Sequence, residues 1–348
     1  MAPAPPSFAP TTPPPLLGRR FPALAGRLPW LSLGSFPTPV QRVSGLGFEL
    51  WLKRDDLAGS PGLPGGNKVR KLEPVLAGLL QQGAGTLVTS GAQGSSHLLA
   101  AASYARRCGL RACLVVGPQH PGAFVAARYA LLQQSGARLV PVPRLELTAP
   151  VALLRSALPG AALVEPGASG PRGVLGHLVA GLELAAQIAA GELPCPEAVW
   201  VAAGSGGTAV GLALGLGLAG LGGVRVVGVR VVPRPWLTQA LLDLEGRAAR
   251  RLLARLAGEP AVDRLLRGSR PTLLDGQLGA GYGVPTLAAE AARHLLARSS
   301  GVLLDPTYTG KAFAALLAAR DAGRLRGPQL FWDTFDPGRL PAEVVLAG

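Results

Sequence analysis

Lys68 and Lys71 stand three residues apart in Gly65-Gly66-Asn67-Lys68-Val69-Arg70-Lys71-Leu72-Glu73, directly behind a pair of glycines. Arginine supplies nearly every positive charge: of 34 Lys and Arg residues only those at 53, 68, 71 and 311 are lysine. A guanidinium stays protonated at any workable pH and forms no imine, so the rare lysines mark places where an amine itself can be required. The glycine pair lets backbone approach a bound group closely. Lys68 held there can carry an aldehyde cofactor as a Schiff base, whereas a lysine without such neighbours is usually a solvated surface charge.

Three further segments carry chemistry-bearing residues. Ala202-Ala203-Gly204-Ser205-Gly206-Gly207-Thr208 follows a strand-like run and opens a helix-like one. Its backbone N–H groups and the Ser205 and Thr208 hydroxyls suit a phosphate dianion. No lysine follows, which excludes the nucleoside-triphosphate loop. A dinucleotide fingerprint would put Ala209 at its third glycine, and residues 224–232 lack the acidic residue that would support it. Ser90-Gly91-Ala92-Gln93-Gly94-Ser95-Ser96-His97 also lies between strand and helix and can hold a carboxylate on a helix N-terminus, or merely cap that helix. Gly281-Tyr282-Gly283 and Asp305-Pro306-Thr307-Tyr308-Thr309-Gly310-Lys311 place two of the four tyrosines in loops.

The elements that position these loops alternate. Strand-like runs at 48–52, 86–89, 112–116, 139–142, 198–202 and 224–232 are interleaved with helical patterns at 72–80, 98–108, 123–134, 174–190, 208–219 and 237–256, followed by helices at 286–298 and 310–322. This rhythm predicts an α/β protein of two doubly wound open sheets, with ligand chemistry at the carboxyl ends of parallel strands. A length of 348 residues suits two domains. The stretch 206–224 is uncharged and as long as a membrane span, but its glycines and its position between a loop and a strand point to a buried helix.

The formal charge of +14 is spread over single arginines such as Arg128, Arg138, Arg144, Arg155 and Arg172, without a basic block, so it does not indicate nucleic-acid binding. Cys108, Cys113 and Cys195 form no CxxC pair, so neither a disulfide framework nor a metal site is expected, and the setting reads as cytoplasmic. Residues 1–20 begin Pro-rich, lack a secretory pattern and read as a disordered leader.

The five segments, in this order from about residue 35 to about residue 330, resemble the 1-aminocyclopropane-1-carboxylate deaminase and D-cysteine desulfhydrase family of fold type II pyridoxal-phosphate enzymes. The resemblance implies a tryptophan-synthase-β-like fold, a large cofactor-binding domain from 21–70 and 166–348, a small α/β domain from 71–165, a homodimer and pyridoxal 5'-phosphate as cofactor. It makes Lys68 the Schiff-base lysine and Gly204, Ser205, Gly206, Gly207 and Thr208 the phosphate cup. Ser95 lies near the substrate carboxylate and reacting carbons, and Ser96 takes the place of an asparagine that touches the cofactor's phenolic oxygen. Ser96, His97 and Tyr282 border the substrate, Tyr282 and Tyr308 are active-site tyrosines, one of them stacked on the ring, and Thr309 faces the pyridine nitrogen.

The deaminase branch resembles this pattern with a glutamate at that last position. A neutral hydroxyl holds the ring proton less well, and opening a cyclopropane needs more electron withdrawal than expelling a β-thiolate. Thr309 therefore favours β-elimination of a small amino acid, D-cysteine desulfhydrase-like, giving pyruvate, ammonia and sulfide. The alternatives are a deaminase giving 2-oxobutanoate and ammonia, or a silent cofactor binder. Three departures from the family pattern leave the substrate open: Ser96 replaces an asparagine, Leu98-Leu99 replaces a basic residue, and Phe331-Trp332-Asp333-Thr334-Phe335-Asp336 replaces a His-Thr-Gly-Gly turn.

Overall fold

A computed structural model describes residues 11–60, 62–338 and 340–346. The larger sheet runs in the order β1 (Val40–Val43), β2 (Leu50–Arg54), β10 (Gln329–Asp333), β7 (Ala198–Ala203), β8 (Arg225–Arg230), β9 (Thr272–Leu274). Only β1 is antiparallel to its neighbour. The smaller sheet, β5 (Arg138–Pro141), β4 (Arg111–Gly117), β3 (Thr86–Ala92), β6 (Ala161–Leu163), is parallel throughout. The helices are α1 (Pro15–Gly18), α2 (Lys68–Gln81), α3 (Ser96–Arg107), α4 (Ala123–Gln133), α5 (Thr148–Ser156), α6 (Pro171–Ala189), α7 (Gly207–Leu218), α8 (Gln239–Ala257), α9 (Pro260–Leu265), α10 (Leu287–Ser300), α11 (Thr309–Asp321) and α12 (Ala342–Leu346).

The alternation expected from periodicity is present. Missing from that expectation are β1, β6, β9, β10, α1, α5, α9 and α12, which are short or lack a clean period. β10 is buried along its whole length, so it shows no apolar–polar alternation, yet it lies inside the larger sheet. Residues 207–218 form the buried helix α7, and no helix among the described residues is long and apolar enough to cross a membrane. Of the expected disordered leader, residues 1–10 lie outside the described residues. Residues 11–20 correct that expectation: Thr11 bridges to Trp30, and Leu17 is buried in one cluster with Phe21, Leu24 and with Val174, Leu175 and Leu178 of α6. The apolar side chains between the prolines provide the burial that composition alone does not reveal.

Close backbone contacts fix α2. A Cβ on Gly176 of α6 would stand 2.0 Å from the Arg70 carbonyl oxygen, and one on Gly215 of α7 would stand 2.2 Å from that of Leu178. Arg70 then ties α2 to the sheet. Its guanidinium donates to Asp55 at 2.8–3.0 Å and to Glu183 at 2.9 Å, and Trp332 of β10 donates to Asp55 at 2.8 Å. Lys53 of β2 pairs with Glu183 at 2.6 Å. Burial opposes ionisation of Glu183, but the Arg70 and Lys53 charges and hydrogen bonds outweigh it and hold the carboxyl at about 2.

Removing that carboxylate leaves two buried cations undercompensated. Glu183→Gln is expected to lower unfolding stability at neutral pH by about 3–5 kcal/mol, read from the denaturant midpoint. The folded pKa lies below its ordinary 4.5, so this stability is present above pH 4.5 and is lost as pH falls toward 2. The gap between wild type and variant therefore closes over that window. Equal midpoints at neutral pH would contradict the role given to Glu183.

Candidate active site

A cavity of about 390 Å³ opens where the carboxyl ends of β3, β7 and β10 converge, with Ala92, Gly204 and Thr334 in its wall. Lys68, Ser95, Ser96, His97, Ser205, Gly206, Thr208, Tyr282 and Tyr308, separated by up to 240 positions in sequence, all line it.

Lys68 is the first residue of α2. The segment before it is held by the far end of the chain: Gly65 N–H donates to Asp336 at 2.8 Å, and Asn67 N–H reaches the Thr334 carbonyl at 3.4 Å. Gly66 has φ +56°, and a Cβ there would stand 2.6 Å from the Thr334 oxygen, so only glycine fits. Lys53, Lys71 and Lys311 each donate hydrogen bonds, whereas among the described residues the Lys68 amine has no hydrogen-bond or ion-pair partner. Burial lowers its pKa to about 8 against the opposing pull of Asp305, so an appreciable share is neutral near physiological pH.

Opposite lies the glycine loop that opens α7. Gly206, with φ +91°, occupies the N-cap, and no side chain caps the helix, so its first N–H groups stay open to an anion. Asn67 donates to Thr208 Oγ1 at 2.9 Å. Ser205 Oγ meets Ser169 Oγ at 2.6 Å, and Lys71 Nζ donates to Ser169 at 2.7 Å. Gly207 does not line the cavity; a Cβ there would strike Glu245, Ser169 and Lys71 at 2.7–2.9 Å. Burial, assisted by the Lys68 charge and opposed by Glu245, lowers Lys71 to about 7.

The 90–97 loop does two jobs. Ser95 caps α3, accepting from Leu98 N–H at 3.3 Å, and still lines the cavity. Ser96 Oγ accepts from Arg128 Nη2 at 3.0 Å, and Arg128 also donates to the Gly94 carbonyl. His97 Nε2 bonds Thr89 Oγ1 at 2.9 Å; burial, then the Lys68 and Lys71 charges, lowers its pKa to about 3. The Tyr282 and Tyr308 hydroxyls bond each other with rings 6.0 Å apart, edge to face. Burial pushes Tyr282 up to about 12 and, with the Tyr282 hydroxyl beside it, raises Tyr308 well above its ordinary value, so both remain phenols.

Thr309 stands at the start of α11. It is fully buried and absent from the cavity wall, its hydroxyl donating to Asp305 Oδ2 at 2.6 Å and accepting from Asp305 N–H at 2.8 Å. Asp305 also accepts the Thr307, Tyr308 and Thr309 N–H groups and itself lines the cavity. Asp305, Asn67, Arg128, Trp236 and Thr334 were not singled out from sequence. Asp305 opens a conspicuous Pro- and Thr-rich turn and could have been; Arg128 looks like any helical arginine.

Residues 31–331 match the family model described as pyridoxal-phosphate dependent enzyme. The chain belongs to that family. Among curated relatives of this pyridoxal-phosphate enzyme, nocardicin C-9' epimerase of Nocardia uniformis subsp. tsuyamanensis is 40% identical, over 89% of this chain and 93% of that protein. D-cysteine desulfhydrase of Yersinia pestis (strain Pestoides F) is 35% identical, over 91% and 95%. The crystal structure of an ACC deaminase homologue superposes with a TM-score of 0.77 at 28% identity, covering 93% of this chain and 95% of that one. A bacterial threonine deaminase structure, at 22% identity and TM-score 0.61 over 87% of this chain and 93% of that one, shares the fold. The two-sheet architecture is that of fold type II pyridoxal-phosphate enzymes.

The cavity suits this cofactor on independent grounds: an unpartnered amine of lowered pKa, an uncapped helix N-terminus with flanking hydroxyls, and room for a flat ring between them. One site property is directly measurable. With its pKa near 3, the His97 imidazole stays neutral from about pH 5 to pH 8. Histidine NMR titration is expected to show no inflection for His97 over that range; an inflection near the ordinary 6.5 would contradict the burial and charge assigned to it.

Proposed function

We propose that this chain catalyses β-elimination from a small amino acid, as in D-cysteine desulfhydration, releasing pyruvate, ammonia and sulfide, and works as a cytoplasmic homodimer. The observation that carries this reading is the free Lys68 amine facing an uncapped anion-binding helix across a cavity that also holds Ser95 and two un-ionised tyrosines. The 35% identity to a D-cysteine desulfhydrase over 91% of the chain supports the same chemistry.

Lys68 would hold the cofactor through its aldehyde, with the Gly204–Thr208 loop binding the phosphate through N–H groups and the Ser205 and Thr208 hydroxyls. When bound, pyridoxal phosphate supplies an electron sink for a negative charge at the substrate Cα. Ser95, Ser96 and the N-terminus of α3 orient the substrate carboxylate, and Arg128 steadies Ser96 from behind. The Lys68 amine, with its lowered pKa, is the base that would take the Cα proton. The paired Tyr282 and Tyr308 phenols retain their protons and can donate a hydrogen bond to the departing sulfur. His97, neutral and bonded to Thr89, shapes the wall without carrying a proton.

A second reading follows from the 40% identity to an epimerase: the Cα proton is removed and returned without loss of a β-group. Absorbance of the purified protein with D-cysteine, pyruvate assay and Cα deuterium incorporation in D2O separate the two. β-Elimination predicts pyruvate and sulfide, with turnover falling on the order of 10²–10⁴-fold in Lys68→Ala. Deuterium uptake with inversion and no pyruvate would favour epimerisation, and 2-oxobutanoate from 1-aminocyclopropane-1-carboxylate would favour deamination. Full activity of Lys68→Ala would overturn the mechanism.

A further inference from the structure

A second cavity, of about 520 Å³, lies behind the glycine loop, between α2, the start of α6 and α8. Its apolar floor comes from Val75 and Leu79 of α2, Leu163, and Ala248 and Leu252 of α8. Arg172, Arg251 and Arg255 face it, against the single carboxylate of Glu165.

Half-buried Arg172 differs from the other arginines inside the fold, while Arg251 and Arg255 stand at the cavity's exposed rim. Arg70, Arg128, Arg230, Arg250 and Arg293 are each hydrogen-bonded, whereas among the described residues the side chains of Arg172, Arg251 and Arg255 have no hydrogen-bond or ion-pair partner. Nη1 of Arg172 is buried and unpaired. The Arg172 side chain lies flat across α2 at Gly78, where a Cβ would stand 3.3 Å from its Cδ and Nε and 3.4 Å from its Cζ. Glycine inside a helix costs about 1 kcal/mol relative to alanine, and here it makes room for that guanidinium. Burial and then repulsion from Arg255 both act against the Arg172 charge. The α6 N-terminus at Gly170 already faces the Glu165 carboxylate, whose oxygens a Cβ there would meet at 2.4–2.6 Å, so the arginines are the cations left for a ligand.

A buried, unpaired guanidinium donor is costly unless an acceptor meets it. Three guanidinium groups without a direct ion-pair partner, beside an apolar floor in a cavity of this size, match an anion carried on a hydrocarbon. We propose that this cavity binds an anionic amphiphile, a carboxylate or phosphate on an apolar body the size of a medium-length acyl chain. Its anion meets Arg172, Arg255 and Arg251, and its hydrocarbon covers Val75, Leu79 and Leu252. The site is separate from the cavity lined by Lys68 and does not depend on the reaction catalysed there.

Calorimetric titration of the purified, cofactor-loaded protein with octanoate, octyl phosphate and inorganic phosphate tests this. One saturable site is expected for octanoate or octyl phosphate, with whichever binds more tightly identifying the head group. Arg255→Gln and Arg251→Gln, both at exposed positions, should each weaken it by about 10-fold or more, the worth of one hydrogen bond to a charged group. Arg324→Gln removes an exposed arginine outside this cavity and should leave binding unchanged. Absence of saturable binding would overturn the proposal. So would equal weakening by Arg324→Gln, which would mark bulk charge attraction, or inorganic phosphate binding as tightly as octyl phosphate, which would remove the role of the apolar floor.

Discussion

A guanidinium buried between two carboxylates determines where the reactive amine stands. Arg70 sits two residues after Lys68 on the same helix, and its bonds to Asp55 and Glu183 fasten α2 to the edge of β2 and to α6. Such a cluster has a high desolvation cost, so it holds only in one geometry, with every donor and acceptor matched. Lys53, Thr38, Gln187 and Trp332 complete the matching. The glycines that let α6 approach α2 and α7 make the same demand in steric form. Lys68 is thereby carried on a rigid mount, and the Gly65-Gly66 turn beside it is pinned by Thr334 and Asp336.

Against this mount the site is electrostatically sparse. It holds two amines: the Lys68 charge lowers the proton affinity of Lys71, and burial lowers that of both. The tyrosines are held un-ionised and His97 neutral. At neutral pH the groups that face substrate are therefore a partly neutral amine, phenols that keep their protons and the Asp305 side chain, while the glycine loop offers backbone dipoles instead of a fixed charge. Lys71 lies behind that loop, bonded through Ser169 to Ser205, where its charge supports the anion end without competing for the reacting carbon.

Much of this was legible in the chain. Rare lysines among many arginines, glycines framing one of them, and Gly-Ser-rich loops between strand and helix patterns mark chemistry that needs an amine, an anion cup and close backbone approach. The parallel sheets follow from the alternation of short apolar runs with helical periods. What escaped is what depends on distant partners. β10 lacks alternation because both its faces are buried, and the residues just after it anchor Gly65 and Gly66 from about 270 positions away. The bond of the Thr309 hydroxyl to Asp305, four residues before it, is likewise set by how the turn folds back on itself and not by the residue types alone. The order of residues 11–20 came from Leu17, whose burial no prolines could forecast.

The central claim is that Lys68, out of four lysines, carries the cofactor. Borohydride reduction of the purified protein with pyridoxal phosphate, followed by proteolysis and peptide mass spectrometry, tests it without reference to any substrate. The account predicts a single stoichiometric pyridoxyl adduct on Lys68. An adduct on Lys71 or Lys311, or none at all, would contradict it.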